Sequence, residues 1–88
     1  MTTIYKYSIP VEDSFVVEMP KDARILSVQV QRDDPQIWAV VDPDLVLQKR
    51  EFRLLGTGHP FPDEGLWPTF VGTFQMLGGS LVFHLFTR

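Results

Sequence analysis

The chain has 88 residues, a formal net charge of −3, 44% hydrophobic content and no cysteine. It is therefore one domain over residues 1–88, because a chain this short buries only about 60% of the surface it exposes unfolded and cannot fill a second core. The composition excludes disulfides and thiolate metal sites, which suits a reducing cytoplasm. Its dispersed eleven acids and eight bases exclude the basic stripe that duplex nucleic acid requires; no apolar run approaches the roughly 20 residues of a membrane span, and MTTIYKYS lacks the pattern of a secretion signal.

Proline and glycine interrupt the sequence too often for a long amphipathic helix, and strands explain the spacing between them. Strands are predicted at Ile4 to Ile9, Ser14 to Glu18, Arg24 to Gln31, Ile37 to Asp42, Arg50 to Leu55, Thr69 to Leu77 and Ser80 to Phe86. Met19-Pro20-Lys21-Asp22 and Asp33-Asp34-Pro35 read as turns, with proline fixing φ and a short acid able to bond the neighbouring backbone. In the third strand Leu26, Val28 and Val30 alternate with Ser27, Gln29 and Gln31, the pattern of one buried and one wetter face. Pro43 closes the fourth strand, and DLVLQKR beyond it suits either a helical turn or a loop. Gly78-Gly79 between two apolar runs predicts a two-residue hairpin turn and antiparallel pairing of the last two strands. The expected fold is all-β: a small antiparallel β-sandwich or barrel-like domain of about seven short strands.

The final strands are apolar on both sides. Leu81, Phe83 and Leu85 alternate with Val82, His84 and Phe86, and Phe70, Phe74 and Met76 oppose Val71 and Leu77. One core covers one face, and each Phe or Val left wet forfeits about 1.5–3 kcal/mol. The expectation is a homo-oligomer, dimer or tetramer, in which a second copy covers the other side. A thicker single-chain core is the alternative.

No catalytic motif surrounds His59 or His84, no metal-ligand spacing is recognisable, and no cofactor is implied. His84, alone within a strand, reads as a packed, hydrogen-bonded residue. The stretch GTGHP is more suggestive: Gly56 and Gly58 allow successive N–H groups to converge on an anion, while Thr57 adds a hydroxyl and His59 a ring. Arg50 and Arg53 lie on opposite faces of the preceding strand, so one of them can reach a phosphate. Gly72 and Thr73 repeat a glycine beside a hydroxyl, and Trp38, Trp67 or Phe70 offer rings for stacking on a base. The same residues also fit a purely structural turn, with the arginines paired to Glu51 or Asp42. PFPDEGLWPTF reads as an exposed, stiff loop in which Trp67 is covered by a ligand or another subunit, and Asp63 and Glu64 argue against phosphate at the loop tip.

Together, IYKY, the block from Met19 to Gln31, PQIWAVVDP, REFRLLGTGHP and FVGTFQMLGGSLVFHLF resemble a family of small phage-encoded domains of unknown function, over nearly the whole chain. These in turn look similar to phage immune-evasion sponges that sequester the cyclic-nucleotide signals of CBASS or Thoeris defence. The resemblance implies a homo-oligomer in the cytoplasm of the infected host that encloses a cyclic nucleotide without cleaving it. Its phosphate contacts would be GTGHP and Gly72-Thr73, completed by Arg50 or Arg53 and an aromatic ring. Phe70 stands where the resemblance implies a tyrosine before VGT, so no hydroxyl contact is carried over there. The competing reading is a structural or interaction module that docks on a host or virion protein through the proline-rich loop and Trp67.

Overall fold

A computed structural model describes residues 1–62 and 67–88. It is all-β, with seven strands: β1 (Thr3–Ser8), β2 (Ser14–Pro20), β3 (Arg24–Gln31), β4 (Asp34–Val41), β5 (Leu47–Gly56), β6 (Thr69–Met76) and β7 (Leu81–Thr87), and a short 3₁₀ turn at Leu77–Gly79 between the last two. They form two antiparallel sheets, ordered β1-β4-β3 and β2-β5-β7-β6, which do not close into a barrel. One core lies between them: Ile37, Ala39 and Val41 of β4 meet Phe52 and Leu54 of β5 and Leu85 of β7. β3 runs close to β6, and Gly72 permits this approach, since a Cβ there would stand 3.0 Å from Cγ1 of Val28.

Five local expectations are corrected. The turn after β3 is Arg32-Asp33, both residues at positive φ (53° and 63°), and Asp34 already pairs with Gln31; this is the tight two-residue connection whose twist suits a hairpin. Pro35 is thus inside β4. Leu26 is 43% exposed and does not join Val28 in the core, because the β3 register slips between Ile25 and Ser27 and a bulge reverses the alternation. A second slip, between Phe70 and Gly72, puts Phe70 and Phe74 on opposite faces: Phe74 is buried and Phe70 is 55% exposed. The β6–β7 connection is longer than two residues, since pairing stops at Met76 and Leu81 and Leu77 joins Gly78 and Gly79 at positive φ. The segment after Pro43 is a short loop that enters β5 at Leu47, three residues before the expected start.

Polar pins fasten the sheet margins. The Ser8 hydroxyl donates to Asp34 Oδ2 at 2.8 Å, and buried Gln36 donates to both residues. Buried Thr87 donates its hydroxyl to the Glu51 carbonyl at 2.7 Å. Arg88 Nε donates to Glu51 Oε2 at 2.6 Å; this bond, and then the charge of Arg88, hold the Glu51 carboxyl below its ordinary 4.5, with slight desolvation opposing. A lowered carboxyl contributes stability above its unfolded value and loses it as pH falls through the folded one. Substituting Glu51→Gln is therefore expected to make the thermal midpoint fall less steeply than in the wild type on acidification below about pH 4.5. Parallel slopes in the two proteins would show that the pair contributes nothing.

Candidate functional site

The outer face of the four-stranded sheet carries the candidate site, and strand register decides what meets there. Leu55 of β5 and Thr73 of β6 both stand opposite His84 of β7, and Phe70 stands opposite Phe86. His84 therefore sits between the end of β5 and the middle of β6. Its Nε2 lies 2.7 Å from Thr57 Oγ1 and its Nδ1 lies 2.9 Å from Thr73 Oγ1. The two threonines, 16 positions apart in sequence, are joined through one ring.

Beyond β5 the chain folds back at once. His59 N–H donates to the Gly56 carbonyl at 3.1 Å and Gly58 takes φ = 90°, the geometry of a type II turn, whose third position calls for glycine. The His59 ring lies over Gly56, 3.1 Å from where a Cβ would stand. Thr57 N–H donates to the Val82 carbonyl at 2.9 Å. Two of the loop's donors are thus spent inside the chain, and the backbone donors do not converge as the glycine spacing suggested. Among the described residues the N–H of Gly58 makes no such bond, and the hydroxyls and rings become the polar groups the turn presents.

Between this turn and the sheet is an open cleft of about 350 Å³, walled by Phe61, Phe70 and Phe86 and by the two histidines, with Thr57 at its rim. The Phe70 and Phe86 rings are tilted against each other, centroids 5.3 Å apart. A larger neighbouring cleft of about 490 Å³ lies across His59, with Asp13, Arg53 and Pro60 in its wall. Three aromatic rings in the wall, with hydroxyl and imidazole groups beside them, suit a flat, partly polar ligand.

Of the residues singled out in the sequence, Gly56, Thr57, Gly58, His59 and Phe70 line the smaller cleft, and Thr73 adjoins it through His84. Arg53 is in the wall of the larger one. The remaining four are placed otherwise, Trp38 being half-buried on β4 of the other sheet. Arg50 turns to the core side and donates to the carbonyls of Ala23 (2.8 Å) and Arg88 (3.1 Å). Gly72 faces β3. Trp67 is covered in part by the chain's own Arg88, whose guanidinium stands 4.4 Å from the ring centroid. Asp63 and Glu64 lie outside the described residues. His84, Phe61 and Phe86 also line the cleft. The β7 alternation had set His84 and Phe86 on one face, but only the pairing of β7 with β5 and β6 brings them to the glycine turn.

The class of molecule is thereby defined: a small open two-sheet β domain with an aromatic-walled cleft under a glycine turn. The chain belongs to the family described as Domain of unknown function (DUF7352), which matches over residues 1–88. That match carries no link to sponge proteins and none to GTGHP as a motif. No curated protein and no solved structure matches the chain. Among the described residues no helix is long and apolar enough to cross a membrane.

Proposed function

We propose that this domain is a non-catalytic binder of a small anionic, ring-bearing ligand, and that the ligand is a cyclic mono- or dinucleotide of bacterial anti-phage defence, sequestered intact in the host cytoplasm by a phage-encoded protein. The observation that carries the reading is the cleft itself, where Phe61, Phe70 and Phe86 surround Thr57, His59 and His84. Aromatic faces hold a base by stacking, worth about 1–3 kcal/mol per base, and hydroxyl or imidazole donors reach a phosphodiester at its edge. Turnover has less support, since among the described residues no group of side chains that could hold a metal ion occurs and the cleft's candidate nucleophiles are single hydroxyls. Self-association remains part of the proposal: Ile4, Val16 and Phe70 are all more than half exposed, and a second copy would cover such groups.

The test is thermal unfolding of the protein with cyclic AMP, cyclic di-AMP, cyclic di-GMP and cyclic GMP-AMP, followed by chromatography of the ligand released by heat. One of them is expected to raise the melting temperature, since a ligand at a hundredfold excess over its Kd adds about 2.7 kcal/mol, and to be recovered unaltered. The Gly58→Val variant, with a branched side chain forced toward φ = 90°, is expected to lose the shift. If none of the four moves the unfolding curve, the proposal fails.

A docking module is the second reading, favoured by Phe61, which is 63% exposed between two prolines. Capture of one stoichiometric protein partner by wild type and by Gly58→Val alike would support it over the nucleotide reading.

A further inference from the structure

In the binding reading His84 is a wall residue of the cleft, and its own hydrogen bonds constrain it further. Both ring nitrogens face a threonine hydroxyl, Thr57 at 2.7 Å and Thr73 at 2.9 Å. A neutral imidazole has one N–H and one acceptor nitrogen, so one hydroxyl must give its hydrogen to the ring while the other receives the ring's hydrogen. Only the second then has a hydrogen to offer outward. In the imidazolium both nitrogens donate, both hydroxyls accept, and each threonine is left with an O–H directed away from the ring. Protonation thus converts one outward donor into two and adds a positive charge behind them.

We infer that His84 is the charge-setting residue of the cleft: binding of an anion draws a proton onto its ring and leaves the hydroxyl of Thr57, in the cleft wall, with a hydrogen to donate. The inference rests on the binding reading and adds its regulation. The groups packed around His84 bear on this coupling. On β5 its neighbours are Leu55 and, two positions back on the same face, Arg53; on β6, Thr73 and Phe70; on β7, Val82 and Phe86; from the turn and the chain beyond, His59 and Phe61. Arg88, past Phe86, is already bonded to Glu51. Among the described residues the charged or titratable groups of these neighbours are His59 and Arg53, the latter with a partner of its own, and no carboxylate lines this cleft, Asp13 standing in the wall of the neighbouring one. Among the described residues no carboxylate of the cleft wall balances an imidazolium here, and a bound anion supplies that charge. By linkage, whatever favours the proton favours the anion, so affinity rises as pH falls.

The experiment is calorimetric titration of the protein with 3′,5′-cyclic AMP, cyclic di-AMP, cyclic di-GMP and cyclic GMP-AMP, whose phosphodiesters keep their charge across the imidazole range of about pH 5–8, and with adenosine as the uncharged counterpart. Between pH 8 and pH 6 the affinity for the anionic probe that binds is expected to rise about tenfold, with proton uptake shown by two buffers of different ionisation enthalpy, while adenosine binding stays flat. His84→Gln is expected to remove the pH slope. A loss of affinity in that variant with the slope intact would reduce His84 to a structural prop and overturn the inference, as would equal wild-type affinity at the two pH values; in both cases the binding reading survives. If none of the four cyclic nucleotides binds at either pH, that reading falls as well.

Discussion

Replacing Phe52 with alanine is expected to remove about 3–5 kcal/mol of unfolding free energy, the largest effect of any single truncation in the chain. Phe52 is 0% exposed and belongs to β5, which is paired on one side with β2 and on the other with β7. Its ring stacks on Phe15 with centroids 5.3 Å apart and planes 10° from parallel, and Thr87, itself fully buried, stands opposite it. Removing the ring leaves a void that backbone from three paired strands cannot collapse to fill, so the transfer and cavity terms add. A domain of this length is stable by only about 5–10 kcal/mol, so the variant retains little margin. Urea unfolding checks it: with a slope of about 1–3 kcal/mol/M the midpoint should fall by more than about 1 M. Val46→Ala, which trims a 68% exposed residue in the loop before β5, is the control and should change stability by less than about 0.5 kcal/mol. Similar losses in the two variants would mean that the core is not where these sheets put it.

The alternation within single strands was legible in the sequence because it depends on neighbours two residues apart. Leu81, Phe83 and Leu85 against Val82, His84 and Phe86 needed no tertiary knowledge, and neither did the strand Arg24–Gln31, whose bounds the structure reproduces. Bulges were not legible. Leu26 and Val71 are each the extra residue in a register slip, and nothing in their side chains distinguishes them from paired neighbours; the slip is set by how the strand meets the other sheet. Turn chemistry was half legible. Gly78 and Gly79 do take positive φ, but Arg32, Asp33 and Leu77 do so as well without being glycine, where hairpin closure outweighs the local cost. The candidate site followed the same division. GTGH announced its turn through glycine, whereas the link from Thr57 to Thr73 through His84 depends on β7 lying between β5 and β6, a pairing that no local pattern encodes. The side chosen by an arginine was equally beyond reach, since alternation put Arg50 and Arg53 on opposite faces without saying which was inward.

That choice yields the second large effect. Arg50→Ala is expected to cost about 2–3 kcal/mol of stability and to leave ligand affinity unchanged in the folded protein. Arg50 shares the inner face with Phe52 and Leu54, but it lies toward the start of β5, where the core opens, and its stem follows the margin while the guanidinium reaches across. One nitrogen donates to the carbonyl of Ala23, at the junction of β2 and β3, and another to the carbonyl of Arg88 beyond β7. The bond to Ala23 ties the turn at one sheet's edge to β5, and the bond to Arg88 holds the chain's last residue against the same strand. Hydrogen bonds from a charged donor contribute about 1.5–3 kcal/mol, and removing the donor strands the acceptor: Ala23 is buried, so water cannot readily replace the guanidinium at its carbonyl. Lysine is a poor substitute, because a single ammonium on a flexible stem does not span two carbonyls as a planar fork does; Arg50→Lys should recover less than half of the loss. Urea unfolding of the three proteins measures the stability ranking, and the nucleotide-induced thermal shift measures the affinity. If Arg50→Ala abolished the shift while leaving unfolding untouched, the guanidinium would be a ligand contact in solution, and its inward placement at the sheet margin would be wrong.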